Sequence, residues 1–107
     1  MPNTRWIRVA DAEEVPAGQI RVFDAGEESV ALCRTLRGEV YAVEDVCTHD
    51  GGPLGEGDLD EFAIECPRHG ARFDVRTGEV LCMPAVVPVR TFPVKEEDGG
   101  LFVEVED

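Results

Sequence analysis

Three features of this sequence predict an all-β fold, a small antiparallel β-sandwich or barrel. Short runs rich in β-branched and aromatic residues recur about every eight to twelve residues. Gly, Pro and Asp clusters separate them. No stretch carries the apolar period of about 3.6 residues that marks an amphipathic helix. The chain has 107 residues, which is the length of one domain. A chain of that size buries about two thirds of its unfolded surface and can fold alone.

Taken in order, Trp6-Ile7-Arg8-Val9 is the first strand. Asp11 to Gly18 is acidic and ends in Pro16-Ala17-Gly18, a loop. Gln19 to Phe23 alternates, with Ile20 and Val22 expected on one face. Asp24 to Glu28 turns the chain into a strand over Val30 to Thr35, and Arg37-Gly38 turns it again. Val40 to Glu44 follows, with Tyr41 and Val43 on one face. Asp45 to Leu54 is a long loop punctuated by Asp50-Gly51-Gly52-Pro53. Leu59 to Glu65 contains the strand Phe62-Ala63-Ile64-Glu65, and Pro67 biases Cys66 to an extended backbone. Phe73-Asp74-Val75 and Val80-Leu81 form a hairpin about Arg76-Thr77-Gly78-Glu79. Met83-Pro84-Ala85 is a third loop. Val86 to Lys95 holds two prolines and reads as an edge-like or irregular strand. After an acidic turn at Glu96 to Gly100, Leu101 to Val105 closes the sheet by clear alternation. The single domain over 1–107 is thus a base made by both ends of the chain, 1–45 and 86–107, with 46–85 inserted in it.

Charge narrows the function. There are 23 acidic against 10 basic residues, a net charge of −13. Nucleic-acid phosphates call for Lys and Arg, so that class of partner is excluded. The charge fits a protein that meets basic partners by electrostatic steering, or one that is merely kept soluble by it. No run of apolar residues is long enough for a membrane span, and the N-terminus lacks a signal-peptide pattern. A soluble cytoplasmic protein is expected, in which the four cysteines are not paired as disulfides. Gly51-Gly52 lacks the lysine and Ser/Thr of a phosphate-cradling loop.

The chemistry is concentrated between Cys47 and His69. Cys47-Thr48-His49 and Cys66-Pro67-Arg68-His69 each supply one thiolate and one imidazole, and together they use both histidines of the protein. These are ligands of zinc, copper and iron–sulfur centres. Two of each satisfy a structural Cys₂His₂ zinc site, or a cluster with two cysteines on one iron and two histidines on the other. With both histidines so committed, no Ser/His/Asp set remains for nucleophilic catalysis.

The paired pattern C-x-H … C-x-x-H resembles the Rieske [2Fe–2S] motif. Leu54 and Gly57 follow the first half as in that family, and Gly70, Phe73-Asp74 and Thr77-Gly78 follow the second. Pro84 stands where the family has a proline loop that covers the cluster. The resemblance implies the Rieske fold, with 46–85 as a cluster-binding β subdomain. It implies one [2Fe–2S] cluster held by Cys47 and Cys66 on one iron and by His49 and His69 on the other. Two ferric ions, two sulfides and two thiolates sum to zero charge, whereas an all-cysteine centre carries two negative charges. The histidines therefore raise the potential.

By the same resemblance the chain is an electron carrier and not an enzyme. It would be a monomeric ferredoxin passing single electrons from an NAD(P)H-dependent flavoprotein reductase to a terminal aromatic-ring oxygenase, through transient contacts. Quinol-oxidising members staple their cluster loops with an extra cysteine in each; here those positions are Gly52 and Arg68, so no staple is expected. High-potential members carry hydroxyls at the positions of Ala71 and Phe73, so a potential toward the low end of the Rieske range is expected. Two other readings stand beside this one. They are a Rieske-like small subunit of a larger oxidoreductase such as an assimilatory nitrite reductase, and a zinc-stabilised interaction module.

The remaining singled-out residues have plainer readings. Cys33 is expected as a small buried hydrophobe, and Cys82 as core packing close to the proline loop. Thr48, Gly51, Pro53 and Leu54 support the first loop. Trp6 packs in the core or on the surface. Arg68 either meets a partner or fills the place of the missing cysteine. The acidic end, Glu104 to Asp107, is a solvated strand end.

Overall fold

The structure is a computed structural model that describes residues 3–48, 51–68, 70–83, 85 and 87–106. Among these there is no α-helix, only strands and two short 3-10 turns, Ala12–Glu14 and Leu54–Glu56. The strands are β1 (Thr4–Asp11), β2 (Ile20–Ala25), β3 (Glu28–Arg34), β4 (Val40–Glu44), β5 (Asp58–Asp60), β6 (Ala63–Glu65), β7 (Arg72–Asp74), β8 (Val80–Cys82), β9 (Thr91–Phe92), β10 (Val94–Glu97) and β11 (Gly100–Glu106). All pairings are antiparallel.

They form three sheets. Strands from both chain ends make a three-stranded sheet, β1-β11-β10, and a four-stranded sheet, β2-β3-β4-β9. The third sheet is the meander β5-β6-β7-β8. The sheet β2-β3-β4-β9 is the middle layer. In β3, Val30 and Leu32 enter a core shared with Leu101 and Val103 of β11, while Ala31 and Cys33 enter a second core with Ile64 and Phe73. Burial on both faces explains why four consecutive residues of β3, Val30 to Cys33, are buried where a half-exposed strand would alternate.

The expected irregular strand from 86 to 95 is two short strands separated at Pro93, which has no N–H for the ladder. Asp58–Asp60 is a strand that propensity did not reveal, since Asp is depleted in strands. It forms because Asp58, Leu59 and Asp60 pair with Glu65, Ile64 and Ala63. Ile20 and Val22 do not both enter the core. Ile20 is buried, but Val22 remains 42% exposed and lies against Gly55, where a Cβ would collide with its side chain. Trp6 lies on the surface with the Lys95 ammonium 4.5 Å from its ring centre.

Candidate metal centre

The two cysteine-bearing loops are built alike. In the first, the Cys47 N–H donates to the Gly52 carbonyl at 2.7 Å, and the Gly51 N–H donates to the Cys47 carbonyl at 2.7 Å. In the second, the Cys66 N–H donates to the Ala71 carbonyl at 2.7 Å, and the Gly70 N–H donates to the Cys66 carbonyl at 3.2 Å. Each cysteine thus opens a turn closed by the residues four and five positions on. Gly51 and Gly70 sit at φ +77 and +74, the left-handed region where a Cβ is costly. Two different sequence spacings therefore converge on one local geometry.

Both thiols are interior, at 0% and 1% exposure, and both belong to the core that contains Leu54, Ala71 and Phe73. Buried thiolates need compensating positive charge. Two of them presented by matched loops, each followed within three residues by a histidine, form a donor set that fits a metal cluster. His49, His69 and Pro84 lie outside the described residues. None of the four cysteines, all described, forms a disulfide. Cys33 is a different case. It lies at 0% exposure on β3, and burial pushes its thiol up to about 12, so it stays protonated.

Cys82 overturns an expectation. It is exposed on β8, not packed in the core. It pairs with Arg72 on β8, the edge strand of the meander among the described residues. Ala71 and Phe73, which carry no hydroxyl, are fully buried.

The surroundings brace the loops. The Thr48 hydroxyl donates to the Val87 carbonyl at 2.5 Å, and the Val89 N–H donates to the Gly78 carbonyl at 2.9 Å. The segment 87–89 is thus held between the first loop and the β7–β8 turn. That turn is closed by Asp74, whose carboxylate accepts from the Arg76 backbone N–H at 2.9 Å and from its guanidinium at 3.0 and 2.9 Å. Sequence reasoning did not single out this ion pair, or the stacking of Arg76 on Phe62 at 4.0 Å. Asp74 two positions before Arg76 is the signal that could have shown it. Gly57 carries no side chain because a Cβ there would overlap the Glu65 carbonyl oxygen and crowd Pro67 of the second loop.

Residues 5–93 match the profile of the Rieske [2Fe-2S] domain. The chain belongs to the Rieske family. Among curated Rieske proteins it is 36% identical over 101 residues to the ferredoxin component of the naphthalene 1,2-dioxygenase/salicylate 5-hydroxylase systems of a Ralstonia species, covering 94% of this chain and 96% of that one. It superposes with a TM-score of 0.84, at 37% identity over 92% of this chain and 91% of the other, on the ferredoxin in a complex of reduced oxygenase and oxidised ferredoxin of carbazole 1,9a-dioxygenase. A protein described as the small subunit of an NADH-dependent nitrite reductase from Mycobacterium tuberculosis superposes at 0.86 with 21% identity, covering 96% of each chain, which shows a common fold alone. This Rieske chain is therefore a ferredoxin with one Rieske-type [2Fe–2S] cluster, an electron-transfer component and not itself an enzyme. The zinc-module and nitrite-reductase readings give way to it. No helix among the described residues is long and apolar enough to cross a membrane.

Proposed function

We propose that Cys47 and Cys66 hold one iron of the cluster, and His49 and His69 the other. Residues 46–85 act as the cluster-binding subdomain, on a base made of 1–45 and 86–107. The observation that carries this is the pair of matched loops with their two interior cysteines. The cluster, when bound, accepts and releases one electron. The chain takes that electron from an NAD(P)H-dependent flavoprotein reductase and delivers it to a terminal aromatic-ring oxygenase, working as a cytoplasmic monomer. The oxygenase complex formed by the carbazole ferredoxin, and the dioxygenase systems of the other relatives, support this assignment.

The potential lies toward the low end of the Rieske range, which spans about −150 to +300 mV. Hydrogen bonds to cluster sulfurs favour the reduced form, and neither Ala71 nor Phe73 has a hydroxyl to give one. The test is iron and sulfide content, the EPR spectrum of the reduced protein, and a redox titration. Two irons and two sulfides, a rhombic Rieske signal that His49→Ala and His69→Ala abolish, and a midpoint below about 0 mV are expected. A signal that survives both substitutions overturns the ligand assignment.

A further inference from the structure

The sheet register places one row of residues across the base of the second loop. Asp58 of β5 pairs with Glu65 of β6, Glu65 with Arg72 of β7, and Arg72 with Cys82 of β8. The loop 66–71 leaves this row between Glu65 and Arg72. The two ends of the row differ in chemistry. At the β5 edge Glu56 and Asp58 are exposed, and none of the hydrogen bonds or ion pairs described above occupies them. At the β8 edge Leu81 is 52% and Met83 75% exposed. Val87, 54% exposed, extends that side to the first loop through its bond from Thr48.

The apolar side is continuous in sequence as well. Residues 80–89 include no acidic or basic residue, although 31% of the chain is charged. Natural sheets guard exposed edges with charges, as β5 does here. An unguarded apolar edge beside the cluster loops marks a contact surface. A second copy of a chain with net charge −13 would be repelled from it. The partner favoured by charge is a redox protein with an apolar contact centre and basic residues on one flank.

We propose that the β8 edge and Val87 form the apolar centre of the docking surface, and that Glu56 and Asp58 orient the partner by meeting its basic flank. This rests on the electron-carrier function above and adds the orientation. The apolar edge holds the encounter complex together, and the acidic edge speeds its formation.

The test uses the intact holoprotein and ferric cytochrome c, a basic haem protein with lysines around an exposed haem edge. One electron leaves the reduced ferredoxin and reduces ferric haem to ferrous haem. The second-order rate is followed by stopped flow from low to high ionic strength. Glu56→Gln with Asp58→Asn is expected to slow the low-salt rate at least about threefold and to flatten the salt dependence. Leu81→Ser with Met83→Ser is expected to slow the reaction by about the same factor at every ionic strength, with the salt dependence unchanged. Glu97→Gln with Asp98→Asn, which removes the same charge at the β10–β11 turn, is expected to change neither.

If this control acts like the β5 variant, or if the β8 variant reacts like wild type, the proposal is overturned. Met83→Lys, at the most exposed of these side chains, replaces the β8 double variant should that one not fold, and is expected to slow the reaction as well. Iron content and the reduced EPR signal are measured on every protein. Wild-type protein without the signal defeats the electron-carrier function itself, whereas an intact signal with edge-insensitive rates defeats only the docking surface.

Discussion

Asp74 is nine-tenths buried, and the Arg76 side chain that hydrogen-bonds it holds its carboxyl below the usual carboxylate range, against the opposing effect of burial. A depressed folded pKa contributes stability above the unfolded value of about 3.9, and that stability is lost as pH falls through the folded value. Asp74→Asn is therefore expected to cost about 1 kcal/mol at neutral pH, a modest figure because Arg76 is half exposed. Urea titrations of variant and wild type should converge on acidification to below the folded pKa. A constant difference at all pH values would show that the carboxylate charge is not what matters. Cys33 poses the opposite case, a buried group kept neutral. Cys33→Ser places a hydroxyl in an apolar core and is expected to cost about 1–3 kcal/mol with no loss of iron. Cys66→Ser is expected to lose the cluster. Iron analysis beside a denaturation curve separates the two roles.

Between elements, the decisive contacts are backbone to backbone. Gly57 lets the turn after Leu54–Glu56 lie against the Glu65 carbonyl, which sets β5 beside β6 and aligns the Asp58–Glu65–Arg72–Cys82 row. Gly57→Ala is expected to destabilise the protein by more than about 2 kcal/mol, because carbonyl and methyl cannot share that space without moving the strand. The loss should appear as a lowered urea midpoint together with reduced cluster occupancy. Gly38, whose Cβ would meet nothing within 4 Å, is the comparison. Gly38→Ala carries only the cost of φ +96.

On the scale of the whole molecule, one middle sheet serves two cores. One core, with Leu101 and Val103, closes the base; the other, with Ile64 and Phe73, contains Cys47 and Cys66, the two cysteines proposed as ligands. With the proposed ligands inside the second core, cluster and packing would support each other. Their convergence exists only in the folded state, which links cluster binding to stability. Removing the iron with a chelator is expected to lower Tm by more than about 10 °C and to increase amide exchange in β5–β8 before β1 and β11. Equal exchange throughout would show that the two cores unfold as one unit.

The all-β class and the cluster motif were legible in the sequence, because alternation, turn residues and ligand spacing are local properties. So were most strands: Val40–Glu44 and Leu101–Val105 needed only their own pattern. Tertiary structure decided what depends on distant partners. Asp58–Asp60 became a strand through β6, Val22 stayed largely exposed, and Cys82 came to the surface on the last strand of its sheet. The matching hydrogen bonds of the two loops were likewise invisible, since C-x-H and C-x-x-H differ in spacing and only the folded backbone shows the same turn in both. Sequence names the donors, because chemistry belongs to residue type. Which surfaces flank them follows from strand register, because register is fixed by pairing across the chain.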